Sequence, residues 1–406
     1  MDVELNRSLQ QFSLVCYANQ PVYRTPDGLV APHRNFVDLL SRIVASDPGH
    51  RFVVPVLETD ESMEGFVVDL PPSQVVEIPG YRGRVQALLA TIRNFSVIRR
   101  VCKQRSVDAP AVLVTTVPCS MMTALLLFGR RIDRFVGVAR GDTRQTLHHV
   151  YGDSLQGRLA RFIVNRFLAV ARTAQRRGRL RVCGVGSEVL RTLDLQGEGE
   201  AHLYPLLHSA EMPRQRGSAP RRPGPVRFLM LGRLSQEKAV LEALEAARRL
   251  SAEGVPFELT IAGFGPMQGE IERVVAELET CDVRFIGPVA PGAPVYELML
   301  EHDVLLLPSR TEGVPRTVAE ATASRRLVLA TPVGSIPVTF GDSVRYLRDS
   351  SPDSIQEGMR WAVEHESAWP DHVEKAAEIA DGLTIDAAGD RLISLVQGWM
   401  NESSDA

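Results

Sequence analysis

The stretch DVLLLPSRTEGVPRTVAEATASRRLVLA (303–330) decides the fold. Its apolar run over 303–308 reads as a buried strand, and a polar turn carrying Glu312 follows. Pro315 then sits at the first position of a helix containing Glu320, and a second buried strand covers 326–330. Strand, helix and strand in that order make a βα unit of a parallel sheet. Working outward, VRFLML (226–231), FELTIA (257–262) and VRFIG (283–287) repeat the pattern. So do FSLVCYA (12–18), RFVVPVL (51–57), AVLVTT (111–116), RFVGVA (134–139) and LRVCGV (180–185) further upstream. Helical patterns lie near 33–46, 84–104, 119–129 and 155–178, and the end of the chain from about Ser354 also reads as helix.

SAEMPRQRGSAPRRPGP (209–225) holds four Pro and four Arg with no apolar periodicity, so it reads as a linker. The expected organisation is a first domain over 1–208, the linker, a second domain over 226–385, and a helix over 386–406 that crosses back to the first domain. In doubly wound sheets ligands bind beyond the carboxyl ends of the strands. Chemistry is therefore expected in the segments that follow the strands of the second half.

Composition narrows the classes. The chain has 406 residues, 44% hydrophobic and 23% charged, which suits a globular protein with real cores. The apolar run Met121–Phe128 is too short to cross a bilayer. MDVELNRSLQQF (1–12) has neither a basic start nor an apolar run, so no signal peptide is read there. Cys16, Cys102, Cys119, Cys183 and Cys281 are odd in number and show no CxxC, which fits a reducing cytoplasm better than a disulfide scaffold. Residues 1–210 hold 26 Lys and Arg against 19 Asp and Glu, whereas the chain as a whole carries −3. The second half is therefore acidic. Basic residues are not interleaved with aromatics, and no nucleic-acid partner is expected.

Three segments carry candidate chemistry. In MLGRLSQEKAVLEALEAARRL (230–250), Gly232 turns the chain after a strand, and Arg233 and Lys238 flank a helix read as starting near Gln236 with Ser235 as its N-cap. A guanidinium fork, an ammonium and helix N–H groups suit a phosphate or diphosphate. Lys238 is one of three lysines, with Lys103 and Lys375, in a chain that otherwise writes positive charge as Arg.

In LTIAGFGPMQGEIERVV (259–275), Gly263, Gly265 and Gly269 follow a strand. Their spacing is not that of a dinucleotide fingerprint, and no acid ends the next strand, so NAD is rejected. A turn that lets the backbone approach a ligand closely is the reading kept. Glu312 and Glu320 are eight residues apart, about 12 Å of rise on one helix. That is too wide for the ~5 Å pair of a retaining glycosidase. It matches two contacts along an extended ligand.

GRLSQEK (232–238), AGFGP (262–266), FIGPV (285–289), EGVPRTVAEA (312–321) and TPVGSIP (331–337) occur in the order and spacing of family 4 glycosyltransferases, which this sequence resembles. The resemblance is specific over about 226–340. TPDGLVAPHRNFVDLLSRI (25–43) and VCGVGSEVL (182–190) look like the family's glycine loop and serine-bearing strand end. It implies an α/β protein of the GT-B fold, two Rossmann-like domains facing across a cleft, that acts as a retaining enzyme with an E-x7-E signature.

Carried over, Arg233 and Lys238 would bind the donor diphosphate, Glu312 would contact the transferred sugar, and Glu320 would hold the ribose. Gly232, Gly263, Gly265 and the backbone of Gly313, Val314 and Pro315 would line sugar and phosphate, the main chain at Val289 would meet the base, and Gly28 would lie under the phosphates. The implied chemistry is front-face transfer from a nucleotide-sugar, a substrate rather than a cofactor, with no nucleophile and no metal; no D-x-D occurs in the chain. The acceptor would be a polysaccharide, a lipid-linked sugar or a small natural product.

Departures are Ala239 for the usual glycine, Val338 for the usual acid, and Arg140 where many members carry a His. Arg140, Asp142 or His148 would take over at the acceptor. A non-catalytic nucleotide-sugar-binding scaffold with the same fold is the alternative these departures feed. The Arg-rich helix RLARFIVNRFLAVARTAQRRGRLR (158–181) leads into a buried strand, so Phe162, Ile163, Phe167 and Val170 are read as core. The basic first domain keeps peripheral contact with the inner face of the membrane as a further reading.

Overall fold

The computed structural model describes residues 12–32, 34–63, 65–103, 110–129, 132, 134–140, 154–185, 187–195, 206–213, 223–278 and 281–402. The chain divides into two units, one of residues 1–205 with 385–406 and one of residues 206–384.

The strands of unit 1 are β1 (Ser13–Tyr17), β2 (Val22–Thr25), β3 (Gly28–Ala31), β4 (Arg51–Glu58), β5 (Phe66–Val67), β6 (Val75–Pro79), β7 (Ala111–Thr116), β8 (Arg134–Ala139) and β9 (Leu180–Gly184). Six of them, β6-β4-β1-β7-β8-β9, pair in parallel. Taken in chain order they run 3-2-1-4-5-6, the doubly wound arrangement. A hairpin of β2 and β3 attaches to the carboxyl end of β4, with β5 beside it. The sequence reading missed β2, β3, β5 and β6, which are short, partly exposed and broken by Pro and polar residues.

Alternation places residues on opposite faces of the sheet. Leu14, Cys16, Phe52, Val54, Val112 and Val114 pack beneath helix α1 (Arg34–Ala45) and the C-terminal helix Ile385–Glu402. Val15, Tyr17, Val53, Leu113 and Phe135 pack against the other face. That face is covered by α2 (Gly83–Val101), α3 (Ser120–Phe128), α4 (Leu155–Arg176) and the short α5 (Ser187–Thr192). The core reading of α4 holds only for its second half. Leu168, Ala171 and Ala174 are buried, Ile163, Phe167 and Val170 are half-buried, and Phe162 is exposed.

Unit 2 holds β10 (Val226–Leu231), β11 (Phe257–Ala262), β12 (Val283–Phe285), β13 (Val304–Leu307), β14 (Leu327–Ala330) and β15 (Arg345–Tyr346). Every pairing is parallel and the order is β12-β11-β10-β13-β14-β15, again 3-2-1-4-5-6. Its helices are α6 (Val240–Ala252), α7 (Gln268–Glu277), α8 (Ala293–Glu301), α9 (Arg316–Ala323), α10 (Ile336–Phe340), α11 (Pro352–Glu364) and α12 (Trp369–Asp381). Strand order reverses between β10 and β13, and a crevice at the carboxyl ends of such a pair is where this topology places ligands. No helix among the described residues is long and apolar enough to cross a membrane.

Candidate active site

The loop after β10 and the loop after β13 meet at that switch point. After Leu231 the chain runs through Gly232 and an exposed Arg233 into a single tight turn, Gln236–Lys238. Ala239 then takes a left-handed conformation (φ 53°), and α6 starts at Val240. This corrects the expected helix start at Gln236, and Ser235 makes no capping hydrogen bond. The glycine that the sequence resemblance leads one to expect at Ala239 has a physical reason here, because the left-handed region costs a Cβ-bearing residue about 1 kcal/mol.

Lys238 Nζ donates to Glu312 Oε1 at 2.5 Å, and the Ser309 hydroxyl donates to the same oxygen at 2.7 Å. Glu312 lies in the turn before α9, so helical spacing does not relate it to Glu320. Pro315 is the N-cap, with α9 beginning at Arg316, one residue later than read from the sequence.

The two loops are stitched together. The Arg310 N–H donates to the Glu237 carbonyl at 2.7 Å, its guanidinium donates to the Gln236 carbonyl at 2.6 Å, and a second branch reaches Glu242. On the far side the Ser335 hydroxyl and N–H both donate to the Gly313 carbonyl. Gly334 is left-handed there (φ 59°), and a Cβ on it would lie 2.1 Å from the Glu312 carbonyl oxygen. Sequence reasoning missed Ser309, whose hydroxyl bonds the Glu312 side chain, and Arg310, Gly334 and Ser335, which act on the backbone of the two loops.

Glu320 is buried on α9 and accepts from Arg316 Nε at 2.7 Å. Burial pushes its carboxyl above the ordinary value, Arg316 pulls it back and Glu211 adds to the rise.

The glycine turn after β11 packs against the loop after β10. A Cβ on Gly263 (φ 139°) would lie 1.8 Å from the Gly232 carbonyl oxygen, and one on Gly265 would lie 2.2 Å from that of Leu234. The close approach seen here is to the neighbouring loop. Hydrogen bonds from Leu234 N–H to Phe264 and from Met267 N–H to Leu234 close it. Gly287, two residues before Val289, accepts from Gly263 N–H at 2.7 Å, which ties the end of β12 to the same edge.

Gly232, Arg233, Lys238, Gly263, Gly265, Val289, Glu312, Gly313, Val314, Pro315 and Glu320 all belong to unit 2, and Gly28 and Arg140 to unit 1. Gly28 (φ 119°) turns the β2–β3 hairpin. Arg140 leaves the carboxyl end of β8, donates to Gln20 Oε1 at 3.2 Å and stacks 4.8 Å over Phe36. Asp142 and His148 lie outside the described residues. A small recess lined by Gly232, Arg233, Leu234 and Lys238 opens beside β10. A larger cavity of about 590 Å³ lies at the other end of α9, lined by Thr322, Arg325, Glu374 and Asp381, and holds none of the site residues read from the sequence. No group of three or more His, Cys, Asp or Glu among the described residues could hold a metal ion.

The unit that carries the Lys238–Glu312 pair is also the part of the chain that a family model matches. Residues 211–380 fit the family model of glycosyl transferases group 1. The chain is 34% identical over 121 residues to the amylovoran biosynthesis glycosyltransferase AmsK of Erwinia amylovora, covering 28% of this chain and 29% of that protein. It is 30% identical over 128 residues to the 2-deoxystreptamine glucosyltransferase of Streptomyces kanamyceticus, covering 32% and 33%. The match thus spans about a third or less of the length of these curated relatives.

Solved structures extend the likeness to the whole chain. A glycosyltransferase from Rickettsia africae superposes with a TM-score of 0.64 at 12% identity, covering 96% of this chain and 99% of that one. HepE from Anabaena, solved with UDP and glucose, gives 0.59 at 13% identity, covering 95% and 99%. These likenesses establish the fold, two Rossmann-like units of the GT-B class.

Proposed function

We propose that the chain is a retaining glycosyltransferase that moves a sugar from a nucleotide-sugar to an acceptor hydroxyl. The observation that carries this reading is the Lys238–Glu312 pair, set at the switch point beside exposed Arg233 and buried Glu320. Arg233 and Lys238 take the diphosphate, Glu312 the transferred sugar and Glu320 the ribose, while the backbone of Gly313–Pro315 and Val289 completes the donor site. The group 1 family match over this unit and the glycosyltransferase names of the relatives support it.

In the proposed step the bond between the anomeric carbon and the diphosphate oxygen breaks, and the acceptor oxygen bonds the same face. The acceptor proton passes to a departing phosphate oxygen. Positive charge on Arg233 and Lys238 stabilises the leaving group. Donor binding shares Lys238 between Glu312 and the phosphates, so the pair holds the ammonium in place before substrate arrives. Gly28 lies under the donor phosphates, and Arg140 serves the acceptor side. The acceptor is a sugar or sugar-like ring, as in polysaccharide or natural-product assembly, and neither metal nor nucleic acid takes part. We place the protein in the cytoplasm, in keeping with five free cysteines, of which four are buried.

The test is a thermal-shift panel of UDP, GDP, dTDP and ADP with their sugars, without added metal, on wild type and Lys238→Ala. One nucleotide should stabilise wild type by about 2.7 kcal/mol at a hundredfold excess over its dissociation constant, and should fail on the variant. No response to any of them sinks the reading. Binding without turnover across an acceptor screen leaves a non-catalytic nucleotide-sugar-binding scaffold.

A further inference from the structure

Glu320 keeps one carboxylate oxygen open. It stands on α9 between Ala319 and Ala321, both fully buried, so helix packing flanks it on either side. Oε1 accepts from Arg316 Nε at 2.7 Å. Among the described residues Oε2 accepts from no donor, yet it is not sealed from solvent. The Tyr296 hydroxyl lies close enough to feel the charge of both residues, but it bonds neither.

Arg316 is open in the same way. Its side chain is 32% exposed, against 5% for Glu320. Among the described residues only Nε is bonded, which leaves the two terminal nitrogens of the guanidinium available. Arg316 is also the first residue of α9, where the helix dipole disfavours a cation. Helix stability therefore gives no reason for an arginine here, and the pair with Glu320 accounts for Nε alone.

The two residues follow directly on the switch-point loop. Pro315 ends the turn that carries Glu312, whose carboxylate meets Lys238 at 2.5 Å, and Arg316 comes next. Glu320 lies about one helical turn further on. A hydroxyl group donates one hydrogen bond and accepts two. A free carboxylate oxygen beside free guanidinium N–H groups therefore complements an alcohol twice, and two adjacent hydroxyls fill the couple. Ribose presents such a pair at its 2′ and 3′ positions, whereas 2′-deoxyribose keeps one member of it.

We propose that Arg316 acts with Glu320 to read the 2′,3′-diol of the donor, so that the chain selects ribonucleotide-sugars over their 2′-deoxy counterparts, dTDP-sugars included. The guanidinium donates to the diol oxygens, Glu320 Oε2 accepts from a diol hydroxyl, and the ion pair holds both groups in place. A 2′-deoxy ligand leaves charged groups without their partner, which a site built for a hydroxyl rejects. The inference rests on the donor-site reading and adds to it a specificity-determining residue and a class of donor.

The experiment is isothermal titration calorimetry of the full chain with UDP, GDP and ADP, each beside its 2′-deoxy form, and with dTDP beside its ribo form, 5-methyl-UDP. The ribonucleotide that binds should do so at least ~10-fold more tightly than its 2′-deoxy form. In Arg316→Leu that ratio should fall to within ~3-fold. Arg316→Lys, which keeps a charge on Glu320 but no fork, should also lower it, and it carries the comparison if the leucine variant fails to fold. Tyr296→Phe, which removes a neighbouring hydroxyl that bonds neither residue, should keep the wild-type ratio. Arg316 variants that weaken both forms equally, with the ratio intact, reduce Arg316 to a structural partner of Glu320 and overturn the proposal. A wild-type ratio near one, or dTDP bound as tightly as 5-methyl-UDP, overturns it too and leaves the donor site standing. No binding of any of these nucleotides sinks the donor-site reading, and this inference with it.

Discussion

Lys238 and Glu312 come from loops 74 residues apart in sequence and are mostly enclosed, with side-chain exposures of 22% and 8%. Removing either partner alone strands the other, which costs on the order of 3 kcal/mol. Lys238→Met and Glu312→Gln should each lower the urea midpoint of unit 2. The double variant should lose less than the sum, with a coupling of about 1 kcal/mol or more; strictly additive losses would mean the pair is not formed in solution. Glu320 answers to pH. Burial raises its carboxyl above the ordinary value in spite of Arg316. Folding thus favours the protonated acid. Its contribution to stability is full below the unfolded value of about 4.3 and is lost as pH rises through the raised folded value. Glu320→Gln, a mimic of the neutral acid, should therefore melt higher than wild type at about pH 8 and lose that advantage toward about pH 4. A lower melting temperature at the alkaline end would show that the Arg316 pair outweighs burial.

Between elements, what decides the site is how the loops after β10, β11 and β13 press on one another. Gly263 and Gly265 have no room for a Cβ against the carbonyls of Gly232 and Leu234, whereas a Cβ on Gly269, inside α7, meets nothing within 4 Å. Gly263→Ala or Gly265→Ala should destabilise by about 2 kcal/mol or more and weaken nucleotide-induced stabilisation. Gly269→Ala should be neutral or stabilise by up to about 1 kcal/mol. Equal effects at the three positions would argue against the stitched loops, and calorimetry of the variants decides it. The glycines were visible in the sequence, but their partner was not, because a contact between two backbones leaves no side-chain signal. The same limit hid Gly334, which crowds the Glu312 carbonyl, and Ser335 and Arg310, which donate to carbonyl groups. Long buried runs such as VRFLML and AVLVTT were legible within a residue or two, since burial on both faces demands unbroken apolar sequence. The short β2–β3 hairpin and β6 were not, lacking that demand. Helical periodicity in α4 was legible too, yet it could not say that the packed face begins only after Phe162.

For the whole molecule, the C-terminal helix changes how sequence maps to unit. With residues 385–406 included, unit 1 holds 27 Lys and Arg against 23 Asp and Glu, a weaker excess than the first half of the sequence suggests. Within unit 1 the ranges of α2 and α4 hold nine Arg and no Asp or Glu. The helix itself belongs to the core of unit 1: Ile385, Ala388, Leu392, Val396 and Trp399 are buried among Phe36, Leu39, Leu40 and Ile43. Arg134 and Arg181 stack on the Trp399 ring at 5.4 and 5.2 Å, and Arg42 pairs with Asp386. Two crossings join the units, and within unit 2 they run side by side, with Leu206 and Leu207 N–H groups donating to the Leu383 carbonyl. Residues nearly 400 apart in sequence therefore share one core. Trp399→Ala removes a buried ring and both cation contacts, a loss of about 3–5 kcal/mol. Amide hydrogen exchange should then accelerate in β1, β4, β7 and α1, all far from position 399 in sequence, and stay as in wild type in β10 and β13. Faster exchange confined to residues 206–384 would place the helix with unit 2 and break the assignment. The opposite pattern, with nucleotide-induced stabilisation of unit 2 intact in the same variant, would show that unit 2 keeps its switch-point site while the core of unit 1 is loosened.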